Sequence, residues 1–235
     1  MKPAFASVVI CVASLPLLGQ SPNTRAEIVQ RICHAPEVTS GNEVERIKSI
    51  EQRLGPVLKE MPAPRIHVAI VESGVINAWN QNLNPRESLI CIPVGLFRFM
   101  GDGEGEMAFI FAHETGHAID TACKTSTGRA EVTPPTLSGA LDRLLGGSGR
   151  NALAENRTCE ARADAIGFAL FTGAGYNPFD AAGAFGRLEM LSGDISTGAV
   201  ARLLALGKTH PMTPDRIAHM RGLLMEKAMN APSTR

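Results

Sequence analysis

The sequence predicts an α+β fold, mainly helical, with one small β-sheet. Apolar residues recur at helical spacing in several long stretches, whereas the β-branched runs that follow the N-terminal apolar stretch fall within residues 66–94. The chain has 235 residues, of which 44% are hydrophobic and 20% are charged, and this is ordinary globular usage. A chain of this length can bury a sizeable core, and no internal repeat divides it.

The helices are predicted from their apolar spacing and from the residues that end them. Residues 43–61 place apolar side chains on one face of a helix, and the two prolines at 62 and 64 end it. Four more helices are expected over residues 106–123, 151–172, 178–191 and 214–229. Residues 125–149 are polar and rich in Gly and Pro, so a loop is expected there, with one short helix at 137–145.

Three short strands are predicted to form the sheet. Residues 66–71 and 75–79 are β-branched runs around a turn, and residues 88–94 are the third strand. Pro93 favours a sheet edge for this third strand, because proline cannot donate a ladder hydrogen bond. Residues 80–86 contain three Asn and one Pro, so we expect a loop there.

The charge balance excludes one class of partner. The 23 Lys and Arg residues equal the 23 Asp and Glu residues, and no basic block occurs. Nucleic-acid-binding domains normally carry a basic patch that neutralises phosphates. No nucleic-acid partner is therefore expected.

The N-terminal residues are typical of an export signal. Lys2 precedes an apolar run over residues 4–18, which Pro16 interrupts and a short polar stretch follows. The run is shorter than the about 20 apolar residues of a membrane span. We predict a signal peptide over residues 1–26, cleaved between 19 and 26, and a single domain over 27–235 without a membrane span. The protein would then be periplasmic or secreted; an uncleaved N-terminal anchor is the alternative.

The cysteines agree with export. Four remain after the predicted signal: Cys33, Cys91, Cys123 and Cys159. An even number in an exported chain predicts at least one disulfide, although the sequence leaves the pairing open. Buried free thiols are the alternative interpretation.

The segment His113-Glu114-Thr115-Gly116-His117 carries the clearest chemical signal. Residues four apart share one face of a helix, so both imidazoles can reach one metal ion while Glu114 lies beside it. Neutral imidazole is a good zinc ligand, and a nearby carboxylate can accept a proton from an attacking water molecule. Chance would produce this pattern in about one chain of this composition in a hundred.

A second segment supplies a third ligand. Glu160 and Asp164 are also four residues apart on a predicted helix. One carboxylate can complete a site of two His and one acid, and the other can accept the N–H of a ligating imidazole. The alternative is a solvated face that includes Arg157 and Arg162.

A third segment lies near the C-terminus. His210 precedes Pro211 and could stabilise an oxyanion, whereas Arg216 could order the carboxylates. A histidine before proline is otherwise an ordinary loop residue.

Together these segments resemble the HtpX-like and CAAX-prenyl-protease-like gluzincin metallopeptidases. The resemblance covers about residues 66–221, nearly all of the predicted mature domain. Its motifs are His113-Glu114-x-x-His117, Glu160-x-x-Ala163-Asp164, His210-Pro211-x-x-x-x-Arg216, Asn77-Ala78-Trp79, Val94-Gly95-Leu96 and Gly175-Tyr176-Asn177-Pro178. The chain lacks the additional membrane spans of the HtpX type, so it is similar to a short exported bacterial branch with one peptidase domain.

The resemblance implies a zincin-like domain whose sheet lies next to the active-site helix. One Zn²⁺ per chain would be bound by His113, His117 and Glu160, and Glu114 would be the general base. Four further roles follow from the same resemblance or from the chemistry above: Asp164 orients a ligand histidine, His210 stabilises the oxyanion, Arg216 orders the carboxylates, and Asn77 and Ala78 lie beside the substrate cleft.

The sequence therefore predicts a zinc-dependent endopeptidase for exported proteins, including misfolded envelope proteins by family analogy. Protein or peptide substrates would be its partners. Two alternatives remain open at this point. In the first, the site holds zinc but is covered by the loop 125–149, which would make the protein a latent, chaperone-like or regulatory factor. In the second, the zinc site hydrolyses a non-peptide amide.

Overall fold

The computed structural model describes residues 24–120, 122–123, 147–193 and 214–230. Within these ranges the elements are α1 (Arg25–Cys33), α2 (Asn42–Leu58), β1 (Arg65–Val71), β2 (Trp79–Asn84), β3 (Glu87–Pro93), α3 (Val94–Met100), α4 (Glu104–Ile119), α5 (Gly147–Gly173), α6 (Pro178–Gly193) and α7 (Pro214–Met229). Helices predominate and the three strands form one sheet, so the predicted α+β class is confirmed.

The predicted long helices are present with shifted ends. α4 ends at Ile119 rather than at 123, and α5 begins at Gly147, inside the range predicted to be a loop. The remainder of that loop, including the short helix expected at 137–145, lies outside the described residues. The short helices α1 and α3 were not predicted. Among the helices described, none has both the length and the apolar composition needed to cross a membrane.

Strand β3 lies at the centre of the sheet, so the predicted edge position is wrong. It pairs in parallel with β1 and antiparallel with β2. Leu89 and Cys91 are buried against one face of the sheet, and Ile90 and Ile92 are buried against the other. Pro93 is tolerated because it is the last residue of the strand and the N-cap of α3, where a missing N–H is not needed.

The second strand also differs from the prediction. Residues 75–78 have irregular backbone, and the strand is Trp79–Asn84, most of the stretch predicted to be a loop. β2 is an edge strand whose side chains are partly exposed, so Asn and Gln are accommodated by pairing with β3. The side chain of Asn84 accepts a hydrogen bond from the backbone N–H of Arg86 at 2.8 Å and shapes the turn to β3.

The N-terminal segment covers the face of the sheet to which Leu89 and Cys91 belong. Thr24 and Glu27 form a capping box that starts α1, inside the range predicted for signal cleavage. α1 packs on the face of Leu89 and Cys91, and a disulfide joins Cys33 to Cys91. Residues 36–38 then bond to the outer edge of β1 through Pro36 O and Val38 N–H.

Helix α4 is the centre of the main core, and α5 crosses it at very short distance. Every residue of α4 from Met107 to Gly116 is buried. A Cβ atom on Gly116 would lie 2.6 Å from the carbonyl oxygen of Ala163, and one on Gly167 would lie 2.9 Å from the backbone N of His113. Glycine is therefore required at both positions for the two backbones to approach.

This packing gives a stability prediction. Gly167→Ala forces α4 and α5 apart and should lower the free energy of unfolding by about 2 kcal/mol, as overpacking does in other cores. Gly222→Ala on α7 is the matched control, because a Cβ there meets no atom within 4 Å. That control should be neutral or stabilising, since alanine favours a helix over glycine. Urea unfolding of both variants checks the prediction; equal midpoints would contradict it.

Candidate metal centre

Helix α4 presents its two histidines to one point. His113 and His117 are four residues apart, and their Nε2 atoms lie 3.1 Å from each other. The rings are nearly perpendicular, at 87°, with centroids 4.7 Å apart. Both side chains are largely buried. The helical spacing alone explains the convergence, as the sequence predicted.

Glu160 on α5 completes the cluster. Its Oε2 lies 3.5 Å from Nε2 of His113, and its Oε1 lies 3.4 Å from Nε2 of His117. Ligands held tetrahedrally at zinc distances are separated from one another by about 3.3 Å. The three donor groups therefore fit a metal such as Zn²⁺, with a fourth position left for water or substrate.

Asp164 fixes the orientation of one histidine. Its Oδ1 lies 2.8 Å from Nδ1 of His113, and its side chain is completely buried. The contact places the proton of the imidazole on Nδ1 and turns Nε2 towards Glu160 and His117. The alternative of a solvated acidic face on α5 is wrong, because Glu160 and Asp164 are only 1% and 0% exposed.

Arg216 on α7 joins both carboxylates of α5. Its Nε and Nη2 donate to the two oxygens of Asp164 at 2.8 and 2.6 Å, and its Nη1 lies 3.0 Å from Oε2 of Glu160. The guanidinium also lies over the ring of Phe185, 5.2 Å from its centroid. A planar guanidinium suits this bidentate contact, so the predicted ordering of the carboxylates has a geometric basis.

The electrostatics of the cluster follow from these contacts. Burial by itself lowers the pKa of His113, but Asp164 and Glu160 outweigh burial and raise it to about 10. Burial raises the pKa of Asp164, whereas His113 and Arg216 outweigh it and lower the value to about 2. For His117 burial prevails over the hydrogen bond with Glu160, and its pKa is lowered. In the protein without metal, His113 is therefore the protonated partner of two carboxylates.

Glu114 lies within the same buried region. Its side chain is 2% exposed, and its charge acts on both His117 and Arg216. It follows His113 on α4 and is thus next to the cluster without belonging to the group of three donors.

Of the remaining predicted site residues, the structure describes Asn77 and Ala78 but not His210. Asn77 and Ala78 are buried in the irregular segment before β2. The backbone shortly before that segment is bonded to α3, because the N–H of Gly95 donates to Ser73 O at 2.8 Å. His210 lies outside the described residues, so its predicted role stays a prediction.

Two connections between α4 and α5 were not assigned from the sequence. The structure pairs Cys123 with Cys159, next to Glu160, and joins Asp120 at the end of α4 to Arg162. In the structure the four cysteines pair as Cys33–Cys91 and Cys123–Cys159, which agrees with the prediction of at least one disulfide. Arg162 follows the candidate ligand Glu160 by two residues, but no sequence pattern indicated that its partner is Asp120, 42 residues away.

Comparison with known proteins places the chain in a family. The profile of Peptidase family M48 matches residues 42–224, most of the chain. The chain belongs to peptidase family M48. No curated protein matches it. Membership indicates a metal-dependent peptidase that hydrolyses peptide bonds, and the His113–His117–Glu160 cluster is its candidate metal site. Helix α1 precedes the matched residues.

The pKa of His113 gives a pH prediction for this M48 peptidase. A metal binds the imidazole of His113 only after Nε2 has lost its proton. Metal binding near pH 7 should therefore release about one proton. The affinity for the metal should rise with pH by up to about tenfold per unit below pH 10. Calorimetry of zinc binding in buffers of different ionisation enthalpy measures the proton count. Asp164→Asn removes the main cause of the raised pKa and should release fewer protons. An unchanged count would contradict the electrostatic account.

Proposed function

We propose that this M48 peptidase is a zinc-dependent endopeptidase that cleaves exported proteins. The observation that carries the proposal is the cluster of two histidines and one glutamate with donor atoms 3.1–3.5 Å apart, held by Asp164 and Arg216. Family membership supports the reaction class, and the donor set supports zinc, which prefers imidazole and carboxylate ligands in this number.

In the proposed hydrolysis of a peptide bond, the metal and the residues of the chain have different roles. Zinc, when bound, supplies a Lewis acid that polarises the scissile carbonyl and lowers the pKa of water. Glu114 accepts the proton of the attacking water on its carboxylate and donates it to the leaving amine. Glu114 directly follows the proposed ligand His113 on α4, and its side chain is buried beside the cluster.

The surrounding residues keep the ligands in position. Asp164 accepts the Nδ1 proton of His113, which keeps Nε2 available for the metal. Arg216 fixes Asp164 and Glu160 together. We assign to His210 the stabilisation of the oxyanion that forms on the substrate carbonyl.

An extended substrate would bind along the sheet. Residues 36–38 cover the outer edge of β1, whereas β2 is the strand at the opposite edge. A peptide that adds to β2 as a further strand would pass Asn77 and Ala78, which lead into β2. In this arrangement the protein would bind the main chain of the substrate more than its side chains, which suits a peptidase that acts on unfolded proteins.

Export is proposed from the sequence and is compatible with the disulfides. Residues 1–26 have the pattern of a signal peptide. Disulfides persist in oxidising compartments, and the structure has two of them. Cleavage before Thr24 would leave the capping box of α1 intact. We therefore place the mature, single-domain protein in the periplasm or outside the cell.

The proposal predicts a specific effect of Glu114→Gln. The variant should keep one zinc per chain but cleave an unfolded protein, such as reduced casein, about 100- to 10,000-fold more slowly, because the proton acceptor is lost. Glu106→Gln at the start of the same helix is the control and should keep full activity. Gel-based cleavage and metal analysis measure the two effects.

Three outcomes would count against the proposal. Cleavage by Glu114→Gln at the wild-type rate would show that Glu114 is not the general base. Zinc-loaded wild-type protein without cleavage of peptides would favour the latent, chaperone-like alternative. Wild-type protein that binds no zinc would refute the metal site itself.

A further inference from the structure

We propose that Arg162 is a positioning residue for the metal ligand Glu160. With its partner Asp120 and the neighbouring disulfide Cys123–Cys159, it forms a clasp between the end of α4 and the turn of α5 that carries Glu160. The inference rests on the metal site proposed above and concerns how its geometry is maintained.

The ion pair in this clasp is bidentate and anchored in the core. Arg162 places Nε 2.8 Å from Oδ2 of Asp120 and Nη2 2.8 Å from Oδ1. The Asp120 side chain is only 1% exposed, and its Oδ1 also accepts the N–H of Ala122 at 3.1 Å. The backbone N–H of Asp120 in turn donates to Gly116 O at 2.9 Å and ends α4. The carboxylate is therefore fixed relative to the helix that bears the histidines.

The disulfide joins the same two segments. Cys123 follows Asp120 by three residues, and Cys159 directly precedes Glu160. Both sulfur-bearing side chains are buried, at 6% and 5% exposure. Glu160 thus lies between Cys159, which is bonded to Cys123, and Arg162, which is paired with Asp120.

The placement of the clasp gives it a function in positioning. Metal ligands tolerate errors of only about 0.2 Å in distance. Close packing at Gly116 and Ala163 holds α5 on the C-terminal side of Glu160. A paired guanidinium and carboxylate restrict rotation as well as separation, so the clasp adds a restraint that packing of small residues does not supply.

A second ion pair in the protein provides a matched control. Arg187 on α6 places Nε 2.5 Å from Oε2 of Glu106 at the start of α4. Its arginine side chain is 43% exposed, against 51% for Arg162, and both partner carboxylates lie on or at the end of the same helix. Glu106 lies about two helical turns before His113 on α4, and neither Glu106 nor Arg187 is adjacent to a proposed ligand. A purely structural role predicts similar effects from removal of either arginine.

The test compares zinc affinities of the full mature protein. Competition with a chromophoric chelator should show about tenfold weaker zinc binding for Arg162→Met, as is usual when support of a ligand is lost. Arg187→Met should bind zinc like wild type. Arg162→Lys keeps the charge without the bidentate geometry and should recover part of the loss. Equal zinc affinities for Arg162→Met and Arg187→Met would overturn the proposal.

A second pair of variants tests the disulfide half of the clasp. Replacement of both Cys123 and Cys159 by Ala should also weaken zinc binding, whereas replacement of both Cys33 and Cys91 by Ala removes the disulfide behind the sheet and should not. Urea unfolding of each zinc-free variant shows whether it is folded, so an affinity change is separated from loss of structure. If the wild-type protein itself binds no zinc, the result refutes the proposed metal site and not only the role of the clasp.

Discussion

The close approach of α4 and α5 is the constraint on which the site depends. Gly116 and Gly167 remove the side chains that would keep the two backbones apart, and Cβ atoms there would lie within 3 Å of the opposite backbone. At this separation a glutamate on α5 reaches two imidazoles on α4 directly. The same contact brings Asp164 to Nδ1 of His113. A small increase in helix separation would move every donor group, so packing and metal geometry are not independent properties.

The second constraint is charge. Three carboxylates, those of Glu114, Glu160 and Asp164, are almost completely buried around the site. Buried carboxylates are tolerated only when cations and hydrogen bonds compensate them. Arg216 from α7 supplies one cation, His113 supplies another while it is protonated, and a divalent metal would take over that role. The site therefore joins three helices that are far apart in sequence, and removal of one member would leave others uncompensated.

The sequence predicted the fold class and the candidate ligands more accurately than the order of the strands. The candidate ligands His113 and His117 were recognised because helical spacing places residues four apart on one face, which holds without knowledge of the fold. β3 was predicted at a sheet edge and lies at the centre, because Pro93 was interpreted without its position at the end of the strand. β2 was missed because pairing with β3, not the propensity of its Asn residues, decides its conformation. Arg162 had no local signal, since its partner is set by the crossing of α4 and α5.

The most direct test of the central claim is X-ray absorption at the zinc edge of the metal-loaded protein. The account predicts two imidazole nitrogens and two oxygens at about 2.0–2.1 Å, one oxygen from Glu160 and one from water, and no sulfur. Glu160→Gln should weaken zinc binding and alter this spectrum. A sulfur ligand at about 2.3 Å, or an unchanged spectrum and affinity in Glu160→Gln, would contradict the assignment of His113, His117 and Glu160 as the metal centre.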